Sequence, residues 1–208
     1  MATSDYVDVG GRKNDLSLIE RPSSRTPGGI EMWIFILGDM TVFAGFFIAY
    51  LWSFRRNRGE FVTDSSDLVL PIGALNTLIL LISSYLIIQA LQQQRNDRPE
   101  AARKYLMVTL ICAGCFTVSK ILEYGLGLSA GHGLTSSQFF MYYYVLTGLH
   151  LLHVAIGSLL IVGWRKSAAP SRTILPHAKY PEGVAVYWHM VDLLWVIIFA
   201  LLYLGSFS

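Results

Sequence analysis

Charge is scarce in this chain: Asp, Glu, Lys and Arg make up 14% of its residues against 53% hydrophobic, with a mean hydropathy of +0.48. That balance excludes an ordinary soluble domain, in which about a quarter of residues are charged. Cysteine is almost absent. Cys112 and Cys115 form a C-x-x-C in an apolar run beside Ala113 and Gly114. Two cysteines on one helix cannot complete a tetrahedral zinc site, and an apolar medium disfavours the thiolate that redox chemistry needs. Small-residue helix packing is their expected role. The chain also lacks a phosphate-binding loop, a dinucleotide fingerprint and a Gly-x-Ser-Gly around Ser158, and it shows no internal repeat. These absences argue against nucleotide enzymes, intramembrane serine proteases and repeat-built transporters. Residues 1–29 are polar and contain no apolar core, so no cleavable signal is expected, and nothing suggests a nucleic-acid partner.

What is present is apolar and long. Five stretches, approximately Ile30–Ser53, Leu68–Leu91, Tyr105–Leu128, Ser137–Trp164 and Val184–Leu204, can each cross a hydrocarbon core of about 30 Å, which takes roughly 20 helical residues. The expected architecture is all-α: a polar tail over 1–29 and one five-helix membrane domain over 30–208. Pro99-Glu100-Ala101-Ala102 reads as a helix start ahead of the third span. Twelve of the sixteen Lys and Arg residues fall on one side of such a bundle, from Arg12 to Lys179, and only Arg55, Arg56 and Arg58 on the other. The positive-inside bias then puts the amino terminus in the cytoplasm and the carboxyl terminus outside. Aromatics gather near the span ends, Trp33, Trp164, Tyr187 and Trp188 at one and Tyr50, Trp52, Phe139, Tyr142, Tyr143 and Tyr203 at the other, as an interfacial belt would. Thr41, Gly45 and Ala49 recur every four residues and suggest a smooth strip for close helix contact.

Seven ionisable side chains interrupt the apolar spans: Asp39, Lys120, Glu123, His150, His153, His189 and Asp192. A charge at mid-bilayer costs roughly 2.5–3.5 kcal/mol on insertion scales, so such groups face a bundle interior, pair, or line a path. Counting about 1.5 Å per residue places Asp39, Asp192 and His189 in one layer, and Lys120, Glu123, His150 and His153 in another. On this count His189 and Asp192 are the ionisable neighbours of Asp39, in a protein-lined apolar setting. Lys120 and Glu123, three apart on one helix face, read first as a neutralised pair that fixes helix register, and second as part of a proton or ion path. His150 and His153 share one face of one helix, whereas bis-histidine haem needs ligands from opposite sides of the ring. His189 and Asp192 could form an imidazole–carboxylate bond of the kind that backs a metal ligand, though packing is the simpler role. No metal site is expected. On the buried charges alone, a stand-alone proton or solute transporter is a competing reading.

Several segments are recognisable. GDMTVFAGFFIAY (38–50), LNTLILLISS (75–84), LEY (122–124), FFMYYYVLTGLHLLHVAIGS (139–158) and EGVAVYWHMVDLLWVIIFALLYLGS (182–206) resemble, in the same order, subunit III of haem–copper oxidases. The resemblance implies a non-catalytic subunit of a respiratory complex that reduces dioxygen and pumps protons. Haem and copper would be carried by subunits I and II, and this chain would stabilise the catalytic subunit, hold phospholipid, and support proton uptake or oxygen access. Asp39 matches a buried carboxylate, usually Glu in mitochondrial forms, that reacts with hydrophobic carbodiimides. Glu123, His150, His153, His189 and Asp192 match polar positions shared across the family, while Lys120 stands where the mitochondrial pattern has Gln. Mitochondrial members have seven helices, so five point to a multi-pass protein of a bacterial cell (inner) membrane. One wall of the family's lipid cleft would then have to come from a neighbour. The Asp at position 39 resembles the quinol-oxidase branch, and the Lys near Glu123 leaves open an accessory subunit of a nitric oxide reductase.

Overall fold

The computed structural model describes residues 29–66, 68–168 and 179–204. The tail through residue 28 and most of the Pro-containing fourth connection lie outside them. The described residues form six helices: α1 (Ile30–Arg56), α2 (Arg58–Ser66), α3 (Leu70–Arg95), α4 (Pro99–Ser129), α5 (Gln138–Ser167) and α6 (Lys179–Tyr203). All but α2 are long and apolar enough to cross a membrane. The protein is thus an all-helical, multi-pass membrane bundle, and the five expected spans are all there.

Each helix end follows from local chemistry. α4 starts at Pro99, as the sequence predicts, because a proline at the first helical position gives up only an N–H that would lack a partner anyway. The turn before it is tight. Asp97 takes a left-handed φ of 54°, and the Arg98 N–H returns to the Gln93 carbonyl at 2.9 Å. Ser137 caps α5 by accepting from the Phe140 N–H. α2 is a helix the apolar pattern does not announce. Phe61 anchors it, fully buried and edge-on to Tyr50, Phe54 and Phe139.

α3, α4, α5 and α6 form the packed body, and α1 leans on α5 and α6 without an appreciable contact to α3 or α4. α3 and α6 run antiparallel and are stitched along their length. The indole N–H groups of Trp188 and Trp195 donate to the hydroxyls of Ser83 and Thr77, both at 3.0 Å. Two glycines allow close approaches of aromatic rings. At Gly73 a Cβ would sit 2.9 Å from ring atoms of Phe199 and Tyr203, and at Gly157 it would sit 2.8 Å from the Trp188 ring. Real side chains do not pack that closely, so both positions need glycine.

Two packing expectations are corrected. Thr41, Gly45 and Ala49 face outward, and a Cβ on Gly45 would meet no atom within 4 Å. The buried face of α1 is instead Ile36, Phe43, Tyr50 and Ser53, because large rings fill the gap to a loosely held helix better than a smooth strip does. Cys115 is likewise exposed and Cys112 half-buried, so the C-x-x-C lines the outer face and not a close helix contact. The aromatic belt also shrinks. Trp33 and Trp52 are exposed, but Tyr50, Phe139, Tyr143, Trp164, Tyr187, Trp188 and Tyr203 are core. Buried Trp and Tyr need partners for their polar atoms, and the bundle supplies them, as when Tyr50 donates to the Leu201 carbonyl and Trp164 to the Gln94 side chain.

The charge split also makes a topological prediction. Arg95, Arg98, Arg103, Lys104, Arg165 and Lys166 lie at the same face of the bundle as the start of α1, and Arg55, Arg56 and Arg58 at the opposite face. Reporters fused at Asp15 and at Ser208 should therefore be protected on opposite sides of the membrane, the first in the cytoplasm. Protection on the same side would mean that one of the five helices does not cross.

Candidate functional site

The buried charges resolve into two bonded groups joined along α5. The first centres on Lys120 of α4, whose side chain is 0% exposed. An ammonium has three N–H donors and no acceptor. Here all three are used: Nζ donates to Glu123 Oε2 at 2.9 Å, to the Tyr143 hydroxyl at 2.9 Å and to the Tyr203 hydroxyl at 3.0 Å. Tyr203 in turn donates to Glu123 Oε1. The rings of Tyr124, Tyr143, Trp195 and Tyr203 surround Nζ, with centroids 4.7 to 5.6 Å away. Their electron-rich faces add cation–π attraction where water cannot solvate the charge. The pairing of Lys120 with Glu123 that the spacing suggested is therefore present. Sequence reading missed Tyr143 and Tyr203, which bring α5 and α6 to the pair. Their positions near span ends pointed to the interface, and nothing in a one-dimensional pattern marks a tyrosine that turns inward.

The second group is Asp39 of α1 with His153 of α5. Asp39 Oδ1 and His153 Nε2 lie 3.0 Å apart, and His153 Nδ1 lies 2.7 Å from the Leu149 carbonyl. The Phe43 ring stands edge-on to the imidazole at 5.4 Å. Depth counting placed Asp39 with His189 and Asp192, and here it fails. α6 turns those two residues away from α1, so that His189 Nδ1 meets Ser84 Oγ of α3 at 2.7 Å. His189 and Asp192 form no hydrogen bond with each other either; Ser84 of α3 is the side chain that both approach. Rise along a helix fixes depth, whereas rotation about the axis decides who meets whom.

His150, one turn before His153, is completely buried between rings. Its centroid is 5.5 Å from Phe116 and 5.1 Å from Trp195. The Trp195 indole thus touches both His150 and the ammonium of Lys120, and His150 leads along α5 to the Asp39–His153 pair. Among the described residues, no three His, Cys, Asp or Glu side chains converge as a metal-ligand set would. The arrangement can neutralise charge, fix the rotation of four helices against one another, and hold protons on groups within a few ångströms of each other.

Of Asp39, Glu123 and Asp192, Asp39 is the most accessible. Its side chain is 16% exposed, compared with 9% for Glu123 and a nearly buried Asp192. A hydrophobic carbodiimide entering from the lipid should therefore form its adduct at Asp39. Peptide mapping by mass spectrometry would show it, and modification of Asp192 or Glu123 with Asp39 untouched would contradict this geometry.

A five-span bundle with an ion pair buried inside it defines the class: an integral, multi-pass membrane protein of packed helices. Residues 27–207 match the family model described as cytochrome c oxidase subunit III. The chain is 35% identical over 190 residues to cytochrome c oxidase subunit 3 of Thermostichus vulcanus, covering 89% of each. It is 30% identical to cytochrome c oxidase subunit 3 of a Synechocystis species, over 82% of this chain and 72% of that one. It is also 31% identical, over 83% of its length, to a heme–copper oxidase subunit I+III of Aeropyrum pernix, of which it covers 22%. The chain belongs to the cytochrome c oxidase subunit III family, and so is an accessory subunit of a haem–copper oxidase complex.

Proposed function

We propose that this chain binds oxidase subunits I and II in a bacterial cell membrane, stabilises the catalytic subunit there, and supports proton uptake or oxygen access during turnover, with haem and copper held by those partners. The observation that carries this reading is that Lys120 and Asp39 each meet a partner within the chain itself. Lys120 spends all three donors on Glu123, Tyr143 and Tyr203, and Asp39 is matched by His153. Groups so engaged lock helices into a fixed shape, which suits a subunit that presents a rigid surface to others. The histidines support the absence of haem ligation from this chain: His153 has both ring nitrogens engaged, and His150 is wedged between Phe116 and Trp195. The Aeropyrum relative, named for both subunits I and III in one polypeptide, supports subunit I as a neighbour. Phospholipid binding is supported by an apolar groove between α1, α5 and α6, lined by Met32, Phe35, Ile156, Leu160 and Tyr187 with Glu31.

The test is deletion. Membranes without this chain should contain oxidase whose haem centres still reduce, but whose sustained turnover falls or whose catalytic subunit is lost to degradation. Restoring the chain should restore both. Unchanged assembly, proton uptake and sustained turnover in its absence would refute the proposal.

A further inference from the structure

Ser84 near the middle of α3 meets His189 near the middle of α6, with 2.7 Å between Ser84 Oγ and His189 Nδ1. Ser84 is also the hydrogen-bonding side chain beside the Asp192 carboxylate. Asp192 is buried, but Ser84 and His189 are only half-buried, so the pair opens onto the outer surface of the bundle. One or two turns away on the same helix faces stand Leu81 and Ile88 of α3 and Leu193 and Val196 of α6, all exposed. No other described helix contacts both α3 and α6, so nothing roofs the groove between them. Hydroxyls elsewhere in the spans need no outside partner, since Thr41, Thr117 and Ser158 each donate to the carbonyl one turn back. An imidazole has no such escape. His189 Nε2 takes no hydrogen bond among the described residues, and hydrocarbon tails offer none.

We infer that the α3–α6 face around Ser84 and His189 is a docking surface for a transmembrane helix of the catalytic subunit, and that this helix brings a hydrogen-bond donor to His189 Nε2. The inference rests on the reading of this chain as a partner of that subunit, and adds which face it uses and what the other side must carry. Valence sets the partner's chemistry. Ser84 has one proton to give. When the Asp192 carboxylate takes it, the serine oxygen accepts from His189 Nδ1–H, and the neutral ring is left with Nε2 as an acceptor. A serine, threonine, tyrosine, tryptophan or amide side chain on the docking helix supplies the missing N–H or O–H, as polar side chains between packed membrane helices do. Lipid cannot. Leu81, Ile88, Leu193 and Val196 then provide the apolar flanks against which the rest of that helix packs.

Photo-crosslinking of the full chain in native membranes tests the face. A diazirine amino acid placed at Leu81 or Leu193 should join this chain to the haem-bearing polypeptide several-fold more often than one at Val118 on the outer side of α4 or Leu159 on that of α5, both equally exposed. His189→Leu should lower the amount of subunit kept in the purified complex several-fold, and His189→Gln, which retains an acceptor, should keep more of it. The crosslinks decide alone if His189→Leu fails to fold. Crosslinks to the haem-bearing polypeptide from Val118 or Leu159, with only lipid adducts at Leu81 and Leu193, would overturn this inference and leave the oxidase-subunit reading standing. No such crosslink from any of the four positions would overturn both.

Discussion

Replacing Lys120 by Met should strip the subunit from its complex. The substitution removes a cation that meets Glu123 and two tyrosine hydroxyls in a site closed to solvent. It leaves a carboxylate and two hydroxyls behind. Breaking a buried ion pair from one side costs about 3–5 kcal/mol, because the surviving charge keeps its desolvation penalty and loses its partner. Glu123→Leu strands the ammonium in the same way and should be as damaging, whereas Glu123→Gln keeps the shape and part of the hydrogen bonding and should be milder. The double change Lys120→Met with Glu123→Leu removes both charges, and should recover part of what each single change loses. The readout is the amount of subunit retained in the purified complex, with thermal unfolding in detergent alongside. A double variant worse than either single one would show that the four-ring pocket, and not charge neutrality, holds the junction. Normal retention with a selective fall in proton uptake for Glu123→Gln would show a conducting role instead.

A valine at Gly73 or Gly157 should be the most damaging change among the apolar contacts. At Gly157 the new methyl groups would have to displace the Trp188 indole, itself bonded to Ser83, and overpacking of that kind costs about 1–3 kcal/mol. Gly73→Val pushes on Phe199 and Tyr203, and Tyr203 is the residue that bonds both Lys120 and Glu123. Its effect should therefore depend on the charge pair. Combined with the neutral double variant at 120 and 123, Gly73→Val should be less than additive, while Gly157→Val should add simply, since coupling follows shared partners. Gly45→Val, whose new Cβ meets open space, should leave the thermal midpoint of the isolated subunit where it was. Additive behaviour at Gly73 would separate the close approach of α3 from the lysine site.

The spans and the family could be read from the sequence because both are written one residue at a time. An apolar run long enough to cross a membrane needs no partner to be recognised, and YWHMVDLLW places a histidine and a carboxylate where chance rarely does. Lys120 and Glu123 were also legible, since two residues three apart on a helix meet whatever the rest of the fold does. The partner of Asp39 was not. Depth pointed to His189 and Asp192, but α6 turns those two towards α3, and the imidazole that faces α1 belongs to α5. The same rotational ambiguity hid the inward turn of Tyr143 and Tyr203 and made the outward strip of Thr41, Gly45 and Ala49 look like a helix contact. α2 escaped notice because one buried phenylalanine, Phe61, holds a mostly polar helix in place.

Membership of a working oxidase is the central claim, and purification through a tag on this chain tests it most directly. From native membranes in mild detergent, the tagged subunit should bring down the polypeptides that carry haem and copper, with oxidase absorption bands and oxygen consumption in the same fraction. Recovery of the chain alone, while haem, copper and full oxidase activity remain together in another fraction, would contradict it.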